Sequence, residues 1–209
     1  MNARIIEIDN SSLKINQDLS YGYAGEVWDA ALVLTNFIIN KDNKHTFYFQ
    51  NKTILELGSG TGICGLTAAM KNPKRVFITD KEIGLIRTNY EENKSIFPSS
   101  TEVEVIKLDW TQIEDYEKIQ DNIDYIICSD IIWRPELFSS ILNTIDHFTK
   151  IFETQIIFCY QYRKKSDLEF FNKLKEEKGK WMIEMLPESV LDEEYRADDI
   201  MIFKIMKMI

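Results

Sequence analysis

Residues 53–62 read Thr-Ile-Leu-Glu-Leu-Gly-Ser-Gly-Thr-Gly, an apolar run that passes straight into three alternate glycines. The run Thr53–Leu57 predicts a strand, and the glycines predict a turn at its carboxyl end. Gly58, Gly60 and Gly62 can take backbone angles and close approaches that a Cβ forbids, so the chain can pass close under a ligand. Asp80 closes a second predicted strand, Val76–Thr79, one βαβ unit downstream. In a parallel sheet the two strand ends lie side by side, and a carboxylate there accepts both hydroxyls of a ribose. The pairing points to a bound nucleoside, and the spacing suits an adenosyl group.

The flanking chain extends the same rhythm. Strands are predicted at Thr53–Leu57, Val76–Thr79, Glu102–Leu108, Tyr125–Cys128 and Gln155–Tyr160, and helices at Gly62–Met70, Ile83–Lys94, Ile113–Ile119, Glu136–Phe148 and Ser166–Lys178. A helix over Trp28–Ile39, closed by the polar turn Lys41–Lys44, precedes them. The alternation breaks at the end, where Trp181–Leu186 and Ile200–Met206 both read as strands joined by an acidic loop. Ala3–Asp9 and Leu13–Gln17 read as a hairpin that leads into a lid. The expected fold is α/β, a Rossmann-like seven-stranded sheet. It is mostly parallel with an antiparallel terminal strand pair, has helices on both faces, and carries an N-terminal β-hairpin extension.

The 209 residues, 44% of them hydrophobic, suffice for one well-buried α/β domain and are short for two. One domain over 1–209 is expected, with 1–24 as its hairpin and lid extension. A formal charge of −9 works against a nucleic-acid backbone or an anionic membrane as partner and welcomes a basic protein segment. The three cysteines, Cys64, Cys128 and Cys159, sit among apolar residues without zinc-type spacing, so reduced thiols and no metal are expected. Met1–Ser20 has no continuous apolar stretch, which predicts neither a signal peptide nor a transmembrane helix. The expected compartment is the cytoplasm, with the nucleus as a second, and the expected state a monomer.

The glycines admit two registers. Gly58-x-Gly60-x-Gly62 suits a methyl donor, and Gly60-x-Gly62-x-x-Gly65 satisfies the dinucleotide fingerprint of a nicotinamide dehydrogenase. No Gly-Lys-Ser/Thr follows, which excludes a P-loop. His45 and His147 fall outside the strand-end loops, so a hydride-transfer site lacks its usual acid.

The fourth sheet strand runs into Ser129-Asp130-Ile131-Ile132-Trp133, which sets a carboxylate and an indole at the ligand-binding edge of the sheet. Methyl transfer to an amine needs alignment and desolvation more than proton relays. A lysine amine has a reference pKa of about 10.4, so an aromatic pocket that disfavours the ammonium exposes its lone pair. Asp130 is the candidate to hold the amine's remaining hydrogens, and the face of Trp133 the candidate to guide the cation inward. Two plainer roles compete: Asp130 as the cap of a helix starting near Pro135, and Trp133 as core. Trp28 and Trp110 are placed either to stack on an adenine or to pack the core. The tract Asp192-Glu193-Glu194-Tyr195-Arg196, with Asp198 and Asp199, reads on charge alone as a solvated loop.

Taken together, Val27-Trp28-Asp29-Ala30-Ala31, Leu55–Gly62, Asp80, Leu108-Asp109-Trp110, Asp124–Ile127 leading to Asp130, Cys159-Tyr160-Gln161-Tyr162-Arg163 and the Asp192–Arg196 tract resemble one family. It is the seven-β-strand protein-lysine methyltransferases of the cytosolic non-histone group, nearest the branch that modifies the valosin-containing protein. The resemblance runs nearly end to end. It implies an S-adenosylmethionine site formed by Trp28, Glu56, Gly58, Ser59, Gly60, Asp80, Trp110 and Ser129. It also implies a substrate-facing acid at Asp130 followed, three positions on, by an aromatic. That aromatic is Trp133 where the family carries Tyr or Phe, and Ser129 stands where it usually carries Ala. The implied substrate is a lysine on a folded protein: an AAA ATPase, a chaperone or an elongation factor. A small-molecule amine methyltransferase and a catalytically silent binding protein are the alternatives.

Overall fold

A computed structural model describes residues 2–40, 43, 46–149, 153–165, 167–176, 180–195, 197 and 199–208. The expected turn at Lys41–Lys44 falls largely outside them, as do Arg196 and Asp198 of the acidic tract. The elements are β1 Asn2–Ile8, β2 Ser11–Gln17, α1 Asp29–Ile39, β3 Thr53–Leu57, α2 Ile63–Ala69, β4 Arg75–Asp80, α3 Gly84–Asn93 and β5 Glu102–Lys107. They continue with β6 Tyr125–Ser129, α4 Phe138–Phe148, β7 Gln155–Gln161, α5 Asp167–Glu176, β8 Trp181–Met185 and β9 Ile200–Lys207.

β3 to β9 form one seven-stranded sheet in the order β5-β4-β3-β6-β7-β9-β8. The first five strands run parallel, while β9 pairs antiparallel with both β7 and β8, as the broken rhythm of the sequence leads one to expect. The chain winds outward from β3 through β4 to β5, then returns to lay β6 on the other side of β3. That reversal opens a crevice at the carboxyl ends of β3 and β6.

The strand period of two divides the core. Ile54, Val76, Ile78, Ile127 and Cys159 face α1, α2 and α3 on one side of the sheet. Leu55, Leu57, Phe77, Ile126, Cys128 and Phe158 face α4 and α5 on the other. Both faces are covered, so β3 is buried throughout and places even Glu56 in the interior, 1% exposed.

Two helix readings change. Ile113–Lys118 is a 3-10 turn that buries Tyr116 and leaves Ile113 70% exposed, because the segment has no apolar stripe to hold an α-helix on the sheet. Pro135–Leu137 is likewise a 3-10 turn, and α4 begins only at Phe138.

The N-terminal hairpin is present, with β1 and β2 antiparallel. β2 buries Leu13 and Ile15 and is fastened to α3 by side-chain amides. Asn89 Oδ1 accepts from the Asn16 backbone N–H at 2.8 Å, and Asn89 Nδ2 donates to the Asn16 carbonyl at 3.1 Å and the Thr61 carbonyl at 2.9 Å. Asn93 repeats the pattern with the Lys14 N–H and C=O at 2.9 and 2.7 Å. The two asparagines thus act as a short strand of pairing groups along the edge of β2.

After the hairpin, residues 19–25 form an irregular 3-10 segment whose base is closed by Asp18 N–H to the Gly25 carbonyl at 2.9 Å and Val27 N–H to Gln17 Oε1 at 2.8 Å. Its exposed Tyr21 and Tyr23 line the crevice. Among the described residues no helix is long and apolar enough to cross a membrane.

Candidate functional site

The glycine turn is built by three left-handed backbone positions in succession, Gly58 at φ 67°, Gly60 at 55° and Gly62 at 83°. A Cβ on Gly58 would lie 2.7 Å from Ile131 Cγ2 and 2.9 Å from Trp110 Cζ2, so side chains from the loops after β6 and β5 close down on bare backbone there. Ser59 stitches the turn to β4, its N–H and hydroxyl both donating to the Thr79 carbonyl at 3.0 and 2.8 Å. At the end of β4, Asp80 Oδ2 accepts the Gly60 N–H at 2.8 Å and Oδ1 accepts the Glu82 N–H at 3.1 Å. Burial is the main influence on this carboxyl and raises its pKa despite those N–H groups. Beyond β5, Asp109 pairs with Lys81 at 2.9 Å. Burial works to raise Asp109, but the Thr111 N–H and hydroxyl and the Lys81 ammonium outweigh it and hold it at about 2.

These groups open on a cavity of about 510 Å³. Trp28, Gly58, Ser59, Gly60, Asp80 and Trp110 line one part of it, and Ser129, Asp130 and Trp133 another, so nine of the ten residues singled out from the sequence meet there. Glu56 does not. Its side chain turns under the turn toward α2, where a Cβ on Gly65 would stand 2.4 Å from its Oε2. That oxygen is buried without a hydrogen-bond partner among the described residues. Burial, only partly opposed by the Ser59 hydroxyl and the Gly65 N–H, pushes the Glu56 carboxyl up to about 8.

Asp130 has a left-handed backbone, φ 57°, and its N–H reaches the Cys159 carbonyl at 2.8 Å. It caps no helix. Its carboxylate turns to Arg163, which donates from Nη1 to Oδ1 at 2.7 Å and from Nη2 to Oδ2 at 2.5 Å. Trp133 is 42% exposed and is therefore rim, not core. Its ring lies 4.7 Å from that of Tyr23, and the Arg134 guanidinium sits 5.2 Å from its centre. Tyr23 in turn lies beside Trp28, whose Nε1 donates to the Tyr23 carbonyl at 2.9 Å. Trp110 is half-buried, and its Nε1 is buried without a partner among the described residues.

Sequence reasoning assigned no role to Tyr21, Tyr23, Arg134 or Arg163, all of which line the cavity. Only Arg163 carried a signal, its place just past β7, the strand beside β6. Cys64, Cys128 and Cys159 are free and buried, and burial raises each thiol above its ordinary range.

The residues fit a nucleoside cofactor. The bare backbone at Gly58 and Gly60 gives the close approach, and the lining offers indole faces. Asp80 spends one lone pair of each oxygen on backbone N–H groups, and a carboxylate has about four acceptor sites, so two remain for ribose hydroxyls. Among the described residues no cluster of three or more His, Cys, Asp or Glu is arranged to hold a metal ion.

A mixed sheet of this order, with a glycine turn and a strand-end acid at its switch point, defines an α/β protein of the nucleoside-cofactor class. The lysine methyltransferase family profile matches residues 7–177, and the chain belongs to that family. Among curated relatives, the protein N-lysine methyltransferase METTL21A of Xenopus tropicalis is 31% identical over 172 residues, covering 79% of this chain and 74% of its own. The protein-lysine N-methyltransferase EFM6 of Saccharomyces cerevisiae is 30% identical over 187 residues, covering 78% of this chain and 74% of its own. Among solved structures, one described as a methyltransferase complexed with S-adenosylhomocysteine superposes with a TM-score of 0.62 at 15% identity. It covers 98% of this chain, which spans 56% of that structure's length. The ribosomal protein L11 methylase of Lactobacillus delbrueckii subsp. bulgaricus gives a TM-score of 0.56 at 16% identity, over 86% of this chain and 77% of its own. At such identities the structural likeness shows the fold, and membership of the family selects the methyl-donor register of the glycines over the dinucleotide one.

Proposed function

We propose that the protein transfers methyl groups from S-adenosylmethionine to a lysine side chain on a folded, non-histone protein, in the cytoplasm, with the nucleus as a second candidate compartment. The observation that carries this reading is the meeting of the glycine turn, Asp80 and Asp130 on one cavity whose rim is the exposed pair Tyr23 and Trp133. An aromatic rim open to solvent suits a side chain presented by a protein surface better than a free amine enclosed on all sides. The net charge of −9 and the exposed Asp192, Glu193 and Glu194 favour a lysine-bearing partner. The resemblance in the sequence makes an AAA ATPase of the valosin-containing protein type the first candidate, followed by chaperones and elongation factors. Buried cysteines that form no disulfide agree with the proposed compartment.

In this reading Gly58, Ser59, Gly60, Asp80, Trp28, Trp110 and Ser129 hold the cofactor. When bound, S-adenosylmethionine supplies an electrophilic methyl group on a sulfonium. The Asp130 carboxylate receives the amine's hydrogens and fixes its direction. Trp133 and Tyr23 flank the aliphatic stem and strip water from the amine, which shifts it toward the neutral form whose lone pair can react.

The test is transfer of radiolabelled methyl into protein of a cell extract by the wild type and by Asp130→Asn. Strong labelling by the wild type and a loss of about 100-fold or more in the variant are expected, since a charged hydrogen-bond acceptor at the reacting group is removed. Equal labelling would remove Asp130 from the mechanism, and label that passes a protein-retaining filter would shift the reading to a small-molecule amine. Binding of S-adenosylhomocysteine without transfer to any acceptor would favour the silent binding protein.

A further inference from the structure

The place assigned to the substrate amine already holds a cation of the chain's own. Arg163 grips both oxygens of Asp130, and its Nη2 also donates to Gln161 Oε1 at 2.8 Å. Its guanidinium carbon lies 5.8 Å from the centre of the Trp28 ring. A carboxylate, an amide oxygen and an indole face are the partners an alkylammonium also seeks.

The two members of the pair are unequally fixed. The Asp130 side chain is 10% exposed and the Arg163 side chain 37%, so the anion belongs to the wall while the cation reaches over it from the solvent side. The anion is held independently as well, since Asp130 Oδ1 accepts the Gln161 N–H at 3.3 Å.

A second pair of acids stands ready for the guanidinium. Asp167 Oδ2 accepts the N–H groups of Arg163 and Lys164, both at 3.0 Å, while its Oδ1 is buried with no partner among the described residues. Asp199 holds Gln161 Nε2 at 2.7 Å. Both carboxylates add to the attraction that keeps Arg163 charged, behind that of Asp130. A guanidinium released from Asp130 therefore remains in a negative field.

We propose that Arg163 is a resident stand-in for the substrate ammonium, displaced from Asp130 toward Asp167 and Asp199 when a lysine binds. This deepens the lysine-methyltransferase reading and rests on it. Arg163 keeps Asp130 paired while no substrate is bound, which spares the site an uncompensated carboxylate in its wall. A guanidinium stays protonated at neutral pH and offers no reactive lone pair, so it can occupy the acceptor position without itself being methylated. It also sets specificity. A free amine must outcompete a tethered cation with nothing else to hold it, whereas a lysine on a docked protein arrives at high effective concentration.

The experiment titrates Nα-acetyl-lysine methylamide into the full chain saturated with S-adenosylhomocysteine and follows binding by NMR. Arg163→Gln is expected to bind the probe about ten-fold more tightly than the wild type, Arg163→Lys to stay near the wild type, and Asp130→Asn/Arg163→Gln to lose the gain. Binding of S-adenosylhomocysteine by each variant shows that it has folded. Equal or weaker probe binding by Arg163→Gln, or no binding by any variant, overturns the proposal. The reading beneath it is judged separately by methyl transfer from the wild type to extract protein. A wild type that labels no protein, beside an Arg163→Gln variant that gains affinity, would sink that reading and keep the displacement.

Discussion

Asp80 closes the glycine turn on itself, its Oδ2 taking the Gly60 N–H at 2.8 Å across the gap between β3 and β4. The same carboxylate supplies the acceptor sites proposed for the ribose and fixes the backbone on which the cofactor would lie. Asp80→Ala removes both functions together. Its affinity for S-adenosylhomocysteine, measured by calorimetry, is expected to fall about 100-fold, the equivalent of one or two charge-assisted hydrogen bonds. An unchanged affinity would refute the assignment.

The amide ladder between α3 and β2 predicts a stability effect far from the cavity. Asn89→Ala strands the Asn16 N–H and carbonyl and the Thr61 carbonyl, all of which Asn89 satisfies in a buried setting. An unsatisfied buried group costs about 1–3 kcal/mol, and water admitted beside the hairpin recovers part of it, so a total loss of about 3 kcal/mol is expected in urea denaturation. Asn93→Ala should cost less, because the Lys14 backbone it serves belongs to an exposed residue. Equal, negligible losses would mean that the hairpin is held by Leu13 and Ile15 alone.

The sheet was legible in the sequence because both of its faces are covered: Ile54, Leu55 and Leu57 are each fully buried, and strands of that kind read as unbroken apolar runs. The terminal antiparallel pair was legible for a different reason, the missing helix between two strand-like segments. Local pattern failed where tertiary contacts decide. Ile113–Lys118 has the length of a helix but no apolar face, and Leu19–Gly25 is shaped by closure of its ends and not by any periodicity. The cavity's glycines, acids and tryptophans were visible as motif residues. Arg163 stood in a quoted segment, yet its bond to Asp130 exists only because β6 and β7 are neighbours. Glu56 shows the opposite failure, a motif residue whose side chain the pleat of β3 carries to the α2 face.

Glu56 predicts a pH dependence. With its carboxyl at about 8 in the folded chain against an ordinary 4.5, the folded state binds a proton that the unfolded state releases between those values. Stability from this group is therefore highest at and below pH 4.5, falls as the pH rises toward 8, and levels off above. The full drop is up to about 5 kcal/mol, at roughly 1.4 kcal/mol for each unit of separation. Glu56→Gln removes the titrating group, so its urea midpoint should vary less between pH 5 and 8 than that of the wild type. Parallel curves for the two proteins would show that Glu56 stays ionised in the fold.

Trp133 and Tyr23, 4.7 Å apart at the rim, predict how substrate and cofactor affinities separate. Trp133→Ala removes one wall of the proposed lysine channel, together with the cation-attracting face on which the Arg134 guanidinium now rests. A cation–π contact is worth about 0.5–2 kcal/mol, so labelling of extract protein at limiting substrate should drop about ten-fold. Trp133→Tyr keeps an aromatic face and should retain most of the activity. The cofactor groups, Asp80 and the glycine turn, lie at the ends of β3 and β4, whereas Trp133 follows β6 and stands at the exposed rim, so affinity for S-adenosylhomocysteine should hold in both variants. If Trp133→Ala instead loses S-adenosylhomocysteine binding in step with labelling, the indole serves the cofactor, and the lysine channel must be sought between Tyr23 and Arg163.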